Sequence, residues 1–205
     1  AYLKFPAFSL PRSLEESNKI LLGATRLFMR IGIKSVSMDD IAREVSVSKK
    51  TIYKYFENKK DLIGNVIKAD IDVEMNACKD CYNTEGNAIQ KMIDISRHIS
   101  HRHKNTNPTI IFDLQKYYPA EWELMEDFRT NFIQNTICDN IKEGKSEGLY
   151  RAEIDENIVC QLYVSLMHKM INMLATQEEP FNFRELHFEM VTYHLHGICT
   201  EKGKD

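Results

Sequence analysis

Glycine and proline are scarce in this chain, 8 and 5 among 205 residues. Tight turns draw on both residue types, so their scarcity, with no apolar–polar alternation, argues against a strand-rich architecture. No apolar run approaches the roughly 18 residues of a membrane span, and no signal peptide is visible. Paired cysteines are not suggested either. Five cysteines, an odd number scattered at 78, 81, 138, 160 and 199, fit a reducing cytoplasm rather than a disulfide scaffold. No Gly-rich phosphate loop, nucleophile–base pair or metal quartet stands out, so neither an enzyme nor a cofactor is expected. The chain opens AYLKFPAFSLPRS without an initiator Met, and residues 1–12 are read as a trimmed N-terminal arm.

What the chain does have is helical periodicity and a lopsided charge. Its net charge of −3 hides 12 Lys/Arg against 6 Asp/Glu in residues 1–60 and 15 against 24 in the remainder. The basic part contains the densest helix signals, SMDDIAREVSVSKKTIYKYFENKK from Ser37 to Lys60. Ser37 and Asp40 form a capping box: the hydroxyl accepts a backbone N–H while the carboxylate reaches back to the cap's own N–H. A helix is therefore predicted from Met38, with Ile41, Ala42 and Val45 inward, and a turn at Ser46-Val47. Ser48 caps a second predicted helix, Lys49 to Phe56. Ile52 and Phe56 share one of its faces, while Lys49, Lys50, Tyr53 and Lys54 project elsewhere. Asn58 opens a third helix with Lys59 and Lys60 at its positive end, which suits an arriving phosphate. Two short helices joined by a tight turn make a helix-turn-helix, whose second helix is the natural reader of a DNA major groove.

The stretch Gly32 to Leu62, GIKSVSMDDIAREVSVSKKTIYKYFENKKDL, resembles the N-terminal domain of the TetR family of bacterial transcription repressors. Both caps, the Tyr-x-Tyr-Phe run and the Lys after it carry the resemblance. It implies that the second helix of the motif enters the major groove. That assigns Lys49, Lys50, Thr51, Tyr53, Lys54 and Tyr55 to bases and phosphates of a double-stranded DNA operator, with Ser37 and Lys59 holding backbone phosphate from the heads of their helices. Two positions depart from the family pattern. Ser46 stands where Gly is usual, and a left-handed backbone there would cost Ser about 1 kcal/mol more than Gly. Lys50 stands where a small residue or Pro is frequent.

The expected fold is all-α: the arm (1–12), a three-helix helix-turn-helix domain (13–60), and a larger helical effector-binding and dimerisation domain (61–205), about nine helices in total. The first helix is predicted over Leu14 to Ile31, with Ile20, Ala24, Leu27, Phe28 and Ile31 on its inner stripe. A long helix, Lys59 to Tyr82, begins in the DNA-binding domain and continues into the body as a lever. Further helices are predicted over 88–103, 109–117, 119–144, 156–175 and 183–200. The 156–175 helix has two apolar stripes, Ile158, Leu162, Leu166 and Met170 on one side and Val159, Tyr163, Met167, Ile171 and Leu174 on the other, so it needs partners on both. Leu162, Leu166 and Met170, joined by Leu186, Met190 and Tyr193 of the last helix, would form a four-helix bundle with a second copy. The family resemblance also implies dimerisation there.

Met92, Ile99, Phe112, Trp122, Phe128 and Met167 are the candidate lining of a small-molecule effector pocket, since such sites are mostly apolar. An effector that prefers the non-binding arrangement would release the repressor from its operator. Two rival readings compete. Cys78-x-x-Cys81, with His98, His101 and His103, could form a thiol or metal site, although this spacing within a helix more often marks unrelated thiols. A helical adaptor could keep the motif without binding DNA. His187, His194 and His196 read as interface or surface polar residues.

Overall fold

The computed structural model describes residues 12–103, 107–176 and 183–204; apart from Arg12, the predicted arm lies outside the described residues. The elements are α1 (Arg12–Ile31), α2 (Met38–Glu44), α3 (Lys49–Ile52), α4 (Lys59–Tyr82), α5 (Ala88–His103), α6 (Pro108–Tyr117), α7 (Pro119–Phe128), a π-helical turn (Arg129–Ile133), α8 (Gln134–Ser146), α9 (Glu156–Thr176), α10 (Phe183–Ile198) and α11 (Glu201–Lys204). The all-α expectation holds. Among the described residues the only strand-like pairing is one antiparallel bridge, Tyr150 to Cys199. The count exceeds nine because the predicted 119–144 helix is interrupted by the π turn, across which the Phe128 and Phe132 rings stack 5.2 Å apart, and because α11 was not foreseen.

The chain forms two compact units, residues 1–73 with 106–125, and residues 74–105 with 126–205. They do not divide at residue 60 as predicted. Leu62, Ile63 and Ile67 of α4 and Leu114 of α6 are buried in the core of the first unit. An amphipathic stripe announces that a face is buried but not what covers it.

In the first unit, Ile20, Ala24, Leu27 and Phe28 of α1 meet Ile41, Ala42 and Val45 of α2, with Ile52 and Phe56 closing the core. Each fully buried Ile or Leu here stabilises the fold by about 1.5–3 kcal/mol. Gly23 permits the close approach of α1 and α2: a Cβ there would lie 2.0 Å from Val45 Cγ1. Gly32 ends α1 with φ +83° and its N–H donates to the Phe28 carbonyl, the left-handed cap that glycine allows. Ile31, predicted on the inner stripe, is exposed instead, because the last turn of α1 has run past the core. α3 ends at Ile52 rather than Phe56. The Tyr55 and Phe56 N–H groups both donate to the Ile52 carbonyl, tightening the chain so that Phe56 still reaches the core.

The second unit packs α5, α8, α9 and α10 around Met92, Ile95, Ile99, Ile137, Ile141, Tyr163, Met167, Met170, Met190 and Val191. Within it, Asn140 Nδ2 donates to the Ala88 carbonyl at 2.7 Å and Tyr150 Oη donates to Asn140 Oδ1 at 3.1 Å, so the buried amide is satisfied on both sides. Cys138 of α8 and Cys160 of α9 are joined as a disulfide, with Cα atoms 5.5 Å apart and a sequence separation of 22. This corrects the expectation of unpaired thiols; the helix packing that brings them together is invisible in their spacing.

The two stripes of α9 have opposite fates. Tyr163 and Met167 are buried in the unit's core, whereas Ile158, Leu162 and Leu166 are 60%, 59% and 44% exposed. Of the six residues predicted for the dimer interface, Leu162, Leu166 and Tyr193 are exposed and Leu186 is half-buried. Met170 and Met190 are not on an open face; both are buried within the protomer. Phe188, which the sequence reading did not single out, stands exposed on α10.

Candidate nucleic-acid interface

The head of α2 is built as the capping box requires. Ser37 Oγ accepts from the Asp40 N–H at 3.2 Å and donates to Asp40 Oδ2 at 2.6 Å, and that carboxylate accepts the Ser37 N–H at 2.9 Å. The Ser37 hydrogen bonds, joined by an ion pair to Arg43, hold the Asp40 carboxyl below the ordinary carboxylate range. Ser46 takes φ 55°, the left-handed turn anticipated for a position where the family places Gly. Ser48 then caps α3, its Oγ accepting from the Thr51 N–H at 3.0 Å.

The predicted DNA-contacting residues divide into two groups. Lys50, Tyr53 and Lys54 are exposed, and Lys50 and Lys54 have no ion pair with a described residue. The others are engaged within the protein. Lys49 Nζ donates to Asp39 Oδ2 at 2.8 Å, a bond that raises the lysine's pKa. Thr51 Oγ1 lies 2.8 Å from Ser48 Oγ. Tyr55 Oη donates to Glu16 Oε2 at 2.8 Å, pinning the end of the α3 turn to α1 and raising the phenol's pKa. Lys59 is half-buried, its Nζ donating to the Ile33 carbonyl at 2.6 Å and the Lys34 carbonyl at 3.3 Å. Burial lowers its pKa against the pull of the Asp113 and Asp40 charges. Its ammonium is therefore directed at the α1–α2 loop. No local pattern in sequence marks the Glu16–Tyr55, Asp39–Lys49 or Lys59–carbonyl contacts, each of which joins separate elements.

The predicted effector-pocket residues are likewise divided. Met92, Ile99 and Met167 are buried in the second unit's core, and Trp122 packs against the core of the first. Phe112 is 43% exposed on α6, beneath the Lys116 ammonium at 5.1 Å from its ring centre, so it lines no enclosed site within its unit. The thiol and histidine groups take structural positions. Cys78 is buried, and burial pushes its thiol up to about 12, far from a reactive thiolate. Glu74 is paired with Arg102 at 2.5 Å and lies 3.5 Å from His98. His101 is exposed, and the side chain of His103 lies outside the described residues. Among the described residues no three His, Cys, Asp or Glu side chains are arranged to hold a metal. His187 is buried with Ser100 Oγ 2.8 Å from its Nδ1, and His194 lies edge-on to Tyr163. His196 is exposed, with Nδ1 2.8 Å from the Thr192 carbonyl oxygen.

Residues 20–66 match the model of the tetR family of bacterial regulatory proteins. Over 173 residues the chain is 25% identical to the uncharacterized HTH-type transcriptional regulator YdeS of Bacillus subtilis, a match covering 82% of this chain and 83% of that protein. A TetR-family transcriptional regulator from Streptomyces coelicolor shares the fold with a TM-score of 0.67 at 16% identity, over 89% of this chain and 94% of that one. The transcriptional regulator FadR from Bacillus subtilis, solved in complex with stearoyl-CoA, does so with a TM-score of 0.64 at 16% identity, over 88% and 98%. The helix-turn-helix segment thus matches the model of the tetR family of bacterial regulatory proteins, and nearly the whole length follows the fold of a TetR-family regulator.

Proposed function

We propose that this DNA-binding transcriptional regulator is a homodimeric repressor, released from its operator by a small apolar effector held in the second unit. The observation that carries the DNA-binding part is the surface of α3 and its following turn. Lys50, Tyr53 and Lys54 are exposed while the residues beside them are tied inward. Two free ammonium groups and a phenol on a rigidly capped short helix suit phosphates and base edges of a major groove. Lys49 joins them by exchanging its Asp39 partner for phosphate. Lys59 acts by holding the α1–α2 loop, and with it the Ser37 cap, in place.

The exposed stripe of Ile158, Leu162 and Leu166, with Phe188 and Tyr193, supports pairing of two copies. Paired recognition helices would meet half-sites about one helical turn apart. The apolar second-unit core around Met92, Ile99 and Met167 supports an apolar effector, as does the stearoyl-CoA bound to the FadR neighbour. The effector releases DNA only to the extent that it prefers one conformation over the other. α4 belongs to both units and is the element through which that preference reaches the helix-turn-helix. On this reading the protein works in the cytoplasm as a binder rather than an enzyme. Its operator is recovered by selecting bound duplexes from random DNA. Lys49→Glu with Lys50→Glu should abolish gel retardation of the recovered duplex and leave the dimer intact by light scattering; full retardation by that double variant overturns the assignment.

A further inference from the structure

The first unit carries a second cationic surface outside the helix-turn-helix. Lys34, in the loop after α1, donates from Nζ to Tyr117 Oη at 2.8 Å and sits 4.1 Å from the centre of that ring. Lys116 lies 5.5 Å from the same ring centre and 5.1 Å from that of Phe112. The two rings meet edge to face at 6.4 Å. Two ammonium groups thus converge on one exposed phenol. The nearest carboxylate, Asp113, is buried and turned inward, where its Oδ2 accepts the Lys34 N–H at 2.7 Å. It opposes part of the Lys34 charge from below, but no described carboxylate forms an ion pair with either ammonium at the surface.

We propose that Lys34, Lys116 and Tyr117 form a second phosphate-binding patch, which takes the DNA backbone flanking the stretch read by the helix-turn-helix. The proposal rests on the DNA-binding reading above and adds α6 to the contact surface. Because Lys34 donates to the phenol oxygen, the Tyr117 hydroxyl hydrogen is left to donate outward, and two cations stand beside it. One phosphate oxygen can take the phenol's hydrogen while the others lie against the ammonium groups. The patch is continuous with the motif: Lys34 precedes the Ser37 cap by three residues, and its carbonyl accepts from Lys59 at the head of α4. The rings fix the lysine stems and hold both charges on one side of the loop.

The test is fluorescence anisotropy of the full chain with a duplex of mixed sequence, over a salt series. Each phosphate contact adds about 0.9 to the slope of log K against log salt. Lys34→Gln with Lys116→Gln should lower that slope by about 2 and weaken binding severalfold at low salt, alike for every sequence. Lys34→Arg with Lys116→Arg should keep the slope, and Tyr117→Phe should keep the slope while weakening binding. A Gln double variant with unchanged slope and affinity, its helical circular dichroism intact, overturns the patch alone if Lys50→Glu with Lys54→Glu still removes binding. Wild-type protein that shows no salt-dependent binding overturns the patch and the DNA-binding reading together.

Discussion

The two units differ in what they hold at the surface. In the first, cations and phenols stand at the surface, the carboxylates of Glu16, Asp39 and Asp113 pin one element to another, and Asp40 closes the cap of its own helix. Among its described residues the buried polar side chains are the carboxylates of Asp113 and Glu121. In the second, polar and titratable groups lie inside, Glu74, Asn140 and His187 among them, while Ile158, Leu162, Leu166 and Phe188 face outward. The first unit gathers exposed cations around its helix-turn-helix, with Ile31 and Phe112 exposed beside them. The second leaves apolar surface open and holds ionisable groups where burial governs them.

The largest effect should come from closing off the open face. Leu162→Asp with Leu166→Asp removes two leucines, each worth about 1.5–3 kcal/mol when fully buried, and places charges opposite their symmetry mates. Dimer dissociation should rise by about 10²-fold or more in sedimentation equilibrium, with the protomer's helicity unchanged. A dimer of undiminished affinity would remove the claim that the second unit is incomplete alone.

A smaller effect belongs to the second unit's interior. Burial pushes the His194 imidazole down to about 4 from its ordinary 6.5. The unfolded chain takes up a proton near pH 6.5 and the folded chain only near pH 4. His194 stability is therefore fully present above pH 6.5 and falls as pH drops, the loss approaching about 3 kcal/mol near pH 4. Protection factors of the α10 amides, corrected for the intrinsic pH dependence of exchange, should fall through that window and fall less in His194→Gln; an equal fall in both proteins would acquit His194.

The smallest effect tests the first unit's local strain. Ser46 holds φ 55°, so Ser46→Gly should stabilise the fold by about 1 kcal/mol. The melting temperature should rise by about 2–4 °C. A lower melting temperature would mean that the serine side chain contributes more than its backbone strain removes.

Most of the first unit was legible because its signals are local. The Ser37–Asp40 box, the Ser48 cap, the Ser46 turn and the Gly32 stop each act within a few residues and appear as read. The Asp155 cap of α9 does too, its Oδ1 accepting from the Asn157 and Ile158 N–H groups. The site was legible only in part. Lys50 and Tyr53 stand exposed as anticipated, whereas the inward engagement of Lys59 and Tyr55 depends on the Ile33 carbonyl and Glu16, 26 and 39 residues away. Phe112 reads as pocket lining from its hydrophobicity, but α6 lies on the first unit with that ring outward.

By itself the sequence determined the capped helix starts, most of the apolar stripes, and that a cationic helix-turn-helix stands near one end, because caps, turns and periodicity are short-range properties of the chain. Tertiary structure alone decided that α6 joins the first unit, that Cys138 meets Cys160, that one stripe of α9 is buried and the other open, and which lysines remain free. Those outcomes depend on contacts between residues far apart in sequence, and no local pattern encodes the partner.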